Sequence, residues 1–274
     1  MRVVEIDLDP ALEDGAETWV TATYSGTLSC APSPQSGVAA CSQHGDFSYF
    51  APRSLFAQIF DPEAPERRVH DGLTHGITIR VPETSEVVVS GERVRESVDR
   101  AGRTSTWAIA SPLSRAAGVY AFVGRLAQTR VPGRSPATFL VHPLPEEQAD
   151  RRLLAWSAPA LDFVEETAGH RLPFDRGLSL VRLPRALGDP GTATSGMTLL
   201  SDAYAEPGDD LFEETWVHEN AHLFWGVVVP ETDPSESRLM SEGMATLTQL
   251  DYSFAVHHGA EDRDLYLARR LRPI

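Results

Sequence analysis

The sequence predicts an α+β protein: an N-terminal antiparallel β-sandwich or saddle over residues 1–145, then a second, helix-rich domain over 146–274. Three observations predict it. Short runs of β-branched and aromatic residues, punctuated by Gly, Pro and Asp, occupy the first half without helical periodicity. After Pro145 apolar residues recur at helical spacing instead. A hydrophobic content of 42% in 274 residues is enough for one large core or two modest ones.

Taken in order, residues 18–24, 76–81, 86–90, 106–110, 118–123 and 137–142 read as strands, and the turn residues between them argue for antiparallel pairing rather than βαβ units. In 146–169, Leu154, Ala158, Leu161 and Val164 keep helical spacing, but Pro159 should break or kink a helix there. Two short helices fit as well as one long one. Residues 178–183 and 197–200 read as further strands. Asp210 followed by Glu213 resembles a capping box opening a helix to about Trp225; 235–258 reads as another helix and 261–272 as a last short one.

Composition removes several function classes. With 39 acidic against 24 basic residues the formal charge is −15, which repels a phosphate backbone and makes nucleic acid a poor partner. Every basic residue is Arg, so Schiff-base chemistry, a phosphate-loop lysine and a Ser-Lys dyad are all excluded. No run approaches the roughly 18 apolar residues needed to cross a bilayer. Residues 1–10 alternate apolar and acidic side chains, unlike a signal peptide, so no membrane partner and a cytoplasmic location are expected. Cys30 and Cys41 flank a loop-like stretch. Two free thiols are favoured in a reducing compartment; a small disulfide-closed loop and a metal role with His44 are the alternatives.

Residues 218–222 read H-E-N-A-H. On a helix, positions i and i+4 share a face, so His218 and His222 can reach one zinc ion while Glu219 takes a proton from the attacking water. The pair lies between Trp216 and the apolar run Leu223, Phe224 and Trp225, where an exposed polar pair would be out of place. A catalytic zinc needs a third protein ligand, for which Glu242 is the candidate. Arg238, four residues earlier, offers Glu242 the alternative of an exposed helical ion pair. His257 and His258 fit a helix-dipole contact better than ligation. Asn220 reads as spacing. Glu213 and Glu214 read as first-turn charge, with a contact from Glu214 or Glu213 to His218 as the alternative.

The V-H-E-N-A-H-L-F-W-G stretch at 217–226 resembles the H-E-x-A-H-x-W-F-G helix of the aminopeptidase N family of gluzincin metallopeptidases, and S-E-G-M-A at 241–245 resembles that family's N-E-G-F-A segment. Residues 118–124 are similar to the end of the family's β-domain, and 172–175 with 178–184 to the opening of its thermolysin-like domain. The resemblance implies a β-saddle followed by a C-terminally shortened thermolysin-like zinc domain. It also implies Zn2+ as cofactor, a peptide substrate cleaved at its amino end, His218, His222 and Glu242 as ligands, and Glu219 as general base.

There are departures from the pattern. Nineteen residues separate His222 from Glu242 where the family has eighteen, an insertion that a connecting loop absorbs. The family's G-x-M-E-N strand corresponds to 195–199, so Gly196, Met197 and Thr198 are expected to hold substrate by edge pairing. Thr198 then stands where the family has its amine-anchoring glutamate. Of the tyrosines after Glu242, Tyr252 and Tyr266 fit packing or surface roles better than the family's oxyanion-stabilising role. A rival reading follows: a zinc-holding half-enzyme or pseudoenzyme that serves as a peptide-binding or partner-dependent module. An apolar strip at Leu239, Gly243, Leu247 and Leu250 is expected to need a partner chain or a homo-oligomer to cover it.

Overall fold

The computed structural model describes residue 13 and residues 41–44, 47–50, 75–109, 120–174, 177–184, 191–202, 210–229 and 238–257. The strand expected at 18–24, the helix at 261–272, Cys30, His258 and Tyr266 lie outside them. In chain order come β1 (Cys41–His44), β2 (Phe47–Phe50), β3 (His75–Val81), β4 (Glu86–Val89), β5 (Glu92–Asp99), β6 (Gly102–Ile109), β7 (Ala121–Gly124), β8 (Leu126–Arg130) and β9 (Thr138–Pro143). Helix α1 (Gln148–Ala168) follows, then β10 (Leu178–Leu183), β11 (Gly191–Thr194), β12 (Met197–Ser201) and α2 (Asp210–Ala221). A turn of π-helix over Arg238–Gly243 leads into α3 (Met244–His257). The fold is α+β.

Among the described residues the strands form three sheets. One has the order β1-β2-β7-β4 and a second β3-β6-β5, both antiparallel throughout. The third, β11-β12-β10-β9-β8, is mixed: β10 runs parallel to β9 and to β12, while β8 and β11 pair antiparallel at the two edges. Strand alternation sends its side chains into two cores. Leu140, Leu180 and Leu200 pack with the helices, and Val141, Val181, Leu183, Met197 and Leu199 pack with Val87, Val88, Val89 and Phe122 of the first sheet. Residue 145, the boundary expected from the sequence, lies between β9 and α1. Strands β8 and β9 precede it in sequence but pair into the sheet that carries β10–β12.

Helix α1 is a single helix, although Pro159 lies inside it. Proline removes the hydrogen bond to the carbonyl four residues back, that of Ala155. Ala155 and Pro159 are both exposed, which puts the interruption on the solvent side of the helix, while Leu153, Ala160, Leu161 and Val164 hold the opposite face in the core. The helix begins with Asp150 accepting the Glu147 N–H at 2.7 Å and ends at Gly169 in the left-handed conformation. Buried Arg182 ties that beginning to the sheet, donating to Asp150 at 2.5 Å and to Asp202 at 2.6 Å.

Helices α2 and α3 pack side by side and antiparallel, with residues 213 and 214 of α2 opposite 252 and 253 of α3. The Tyr252 hydroxyl donates to Glu213 and the Ser253 hydroxyl to Glu214. Glu213 does lie in the first turn of α2, as expected, and both it and Glu214 are buried acceptors. Helix α2 is buried on nearly every side, with Phe212, Trp216, Val217 and Ala221 all in the core. It lies between α1, α3 and the β11–β12 end of the sheet. Of the strip expected to lie uncovered, Leu250 is buried and Leu247 exposed. No helix among the described residues is long and apolar enough to cross a membrane.

Candidate metal centre

One helical turn separates His218 from His222, and the two rings meet edge to face with centroids 4.8 Å apart. Their Nε2 atoms lie 3.1 Å from each other. Glu242 comes from the π-helical turn before α3 and sets Oε2 3.4 Å from His218 Nε2 and 3.5 Å from His222 Nε2. These three residues are the ones whose ligand atoms converge among the described residues. The imidazoles are mostly covered, whereas the Glu242 side chain is 60% exposed, so the centre opens to solvent on that side.

The His222 tautomer follows from its partners. Trp225 O lies 3.2 Å from Nδ1, and a carbonyl can only accept, so Nδ1 carries a proton, and in the neutral ring that tautomer leaves the Nε2 lone pair for a ligand. The Ser241 hydroxyl reaches the same Nδ1 at 3.2 Å. His218 Nδ1 is buried without a hydrogen-bond partner among the described residues. Burial, followed by the adjacent His222, pushes the His218 pKa below its usual range; Glu242 and Gln249 oppose the shift. The neutral imidazole, the form that binds metal, is thereby favoured.

The donor set fits zinc. Ligands about 2.0–2.1 Å from a tetrahedral zinc stand about 3.3 Å apart. The three observed separations, 3.1, 3.4 and 3.5 Å, bracket that edge length.

Glu219, on the same helix as the His pair, is largely buried. Its carboxylate lies against the start of β11: a Cβ on residue 191 would come within 2.6 Å of Glu219 Oε1. Asn220, read from the sequence as spacing, is fully buried, and both amide atoms lack partners among the described residues.

The stretch expected to hold substrate lies elsewhere. Met197 and Thr198 belong to β12, which is hydrogen-bonded to β11 on one side and β10 on the other, and both side chains are fully buried. Gly196 takes a positive φ of 71° in the hairpin turn, and its carbonyl accepts from Ser179. Edge pairing by 196–200 is therefore ruled out, because β11 occupies that edge. Gly191, Thr192, Ala193 and Thr194 form the outer strand among the described residues. Sequence reading missed β11 because Gly-Thr-Ala-Thr is short and lacks a large apolar residue. Tyr252 is buried against Phe163, and its phenol is pushed upward in pKa by burial and by the Glu213 carboxylate, which commits it to packing.

No family model matches the sequence, and no curated protein matches it. Solved structures do. A two-domain M1 zinc metallopeptidase mutant crystallised with L-arginine superposes with a TM-score of 0.67 at 16% identity, covering 89% of this chain and 54% of the other. The M1 zinc metallopeptidase from Deinococcus radiodurans gives 0.64 at 18% identity, covering 91% and 56%. A mutant of the Deinococcus enzyme bound to a Tyr-Ser-Ala substrate gives 0.59 at 17%, covering 83% and 50%. The chain spans about half the length of these structures and shares their fold.

Proposed function

We propose that the protein is a zinc-dependent metallopeptidase in which His218, His222 and Glu242 hold the metal and Glu219 is the general base. One observation carries the reading: two imidazole nitrogens and a carboxylate oxygen converge at the edge lengths of a tetrahedral zinc site. Zinc bound there supplies Lewis-acid polarisation of the scissile carbonyl and of the attacking water. Glu219 takes the proton from that water and passes it to the leaving nitrogen. Residues Gly191–Thr194 offer an outer strand on which an extended peptide can pair through its backbone, and the strand's contact with Glu219 brings that peptide to the base.

A second reading, a zinc-holding half-enzyme or pseudoenzyme that binds peptide with little turnover, is favoured by Tyr252, whose hydroxyl is committed to Glu213 and unavailable to an oxyanion. Metal analysis of the purified chain, combined with a hydrolysis assay on free and amino-blocked peptides, separates the two. About one zinc per chain with turnover supports the first reading; zinc with peptide binding and no turnover supports the second. A chain that takes up no zinc refutes both.

A further inference from the structure

We propose that Ser241 is a positioning residue: its hydroxyl, together with the Trp225 carbonyl, clamps the Nδ1–H of His222 and fixes the ring that Glu242 faces. The inference rests on the metal-centre reading above and adds to it a residue outside the ligand set. Trp225 O and Ser241 Oγ each lie 3.2 Å from His222 Nδ1, and they come from different segments, the turn after α2 and the π-helical turn before α3. The carbonyl sets which nitrogen carries the proton. A single acceptor leaves the imidazole free to swing about Cβ–Cγ, and a second from another direction removes that freedom.

Ser241 immediately precedes Glu242, so the contact that orients the second ligand also holds the segment bearing the third. The neighbouring backbone makes room for it. Gly226 takes a φ of 120°, and a Cβ there would lie 3.0 Å from Ser241 Oγ, tight enough to displace the hydroxyl. Ordering two ligands before the ion arrives lowers the cost of assembling the site, and hydrogen-bond partners of this kind alter metal affinity by roughly 10- to 100-fold.

The test compares native protein with Ser241→Ala and Ser241→Thr. Zinc affinity, read by competition with a chromophoric chelator, should weaken roughly 10- to 100-fold in the alanine variant and stay native in the threonine variant, which keeps the hydroxyl. The urea midpoint of the metal-free alanine variant should stay near native, which separates positioning from a general loss of stability. Nitrogen-15 correlation spectra of the metal-free native chain, at a pH where imidazole is neutral, should place the His222 proton on Nδ1. Native affinity in Ser241→Ala, or a proton on Nε2 in the native chain, overturns the proposal. Should the alanine variant not fold, Ser241→Gly takes its place in the zinc competition, and native affinity there overturns the proposal. A native chain that binds no zinc refutes the metal centre; the clamp is then decided by carbon-13 relaxation of the His222 ring, which should show more motion in Ser241→Ala than in Ser241→Thr, and equal motion overturns it.

Discussion

Gly191 lies directly against Glu219: a methyl group on residue 191 would stand 2.6 Å from Oε1, 2.7 Å from Cδ and 3.0 Å from Cγ of the glutamate. The atoms in the way are the far end of a flexible side chain, so the backbone need not yield. Gly191→Ala is expected to fold with a stability change under about 1 kcal/mol, keep its zinc, and displace the carboxylate. Misplacing a reacting group by about 1 Å can cost on the order of 100-fold in rate. Steady-state kinetics should show that loss mainly in kcat; a variant with native kcat would remove Glu219 from the chemistry or show that the contact is loose.

The two glutamates of the site should fail differently. Glu219→Gln keeps the fold and the metal but cannot take a proton, so turnover is expected to fall by at least about 100-fold. Glu242→Ala removes a donor from the converging set and should lose zinc on dialysis. Paired metal analysis and kinetics on both variants distinguish base from ligand, and full zinc occupancy in Glu242→Ala would remove that residue from the coordination sphere.

Residues Gly191–Thr194 include no carboxylate, so a peptide pairing with β11 meets backbone groups and two threonines there rather than an anchor for an ammonium. Free and acetylated amino termini should then differ by no more than about tenfold in kcat/KM, about 1.4 kcal/mol. A much larger preference for the free terminus would mean that an acid from another segment serves as the anchor.

Arg182 is 2% exposed and satisfies Asp150, which is 1% exposed, and Asp202. Its removal leaves the buried Asp150 carboxylate and the half-buried Asp202 carboxylate without that cation. Arg182→Met is expected to cost about 3–5 kcal/mol, measured by urea unfolding of the metal-free chain. A loss below about 1 kcal/mol would show that water reaches the cluster and replaces the guanidinium.

The sequence by itself determined what depends on neighbours along the chain. His218 and His222 share a face because 3.6 residues make a turn, and seven of the expected strands coincide with β3, β4, β6, β7, β9, β10 and β12 because β-branched runs between turn residues mark them locally. Strands β5 and β8 escaped notice because polar and charged residues dominate them, and their membership of a sheet depends on pairing partners. Tertiary structure decided the rest. Antiparallel packing of α2 on α3 carries Glu242 to the His pair across twenty positions of sequence, and it buries Glu213 and Glu214 against Tyr252 and Ser253. Packing on the core keeps α1 whole through Pro159. The hairpin at 195–196 puts the apolar strand β12 inside the sheet and leaves plain β11 at the edge beside Glu219. Periodicity can tell a strand from a helix, but which strand is left at the edge depends on the hydrogen-bonding partner each one finds, and that pairing is non-local.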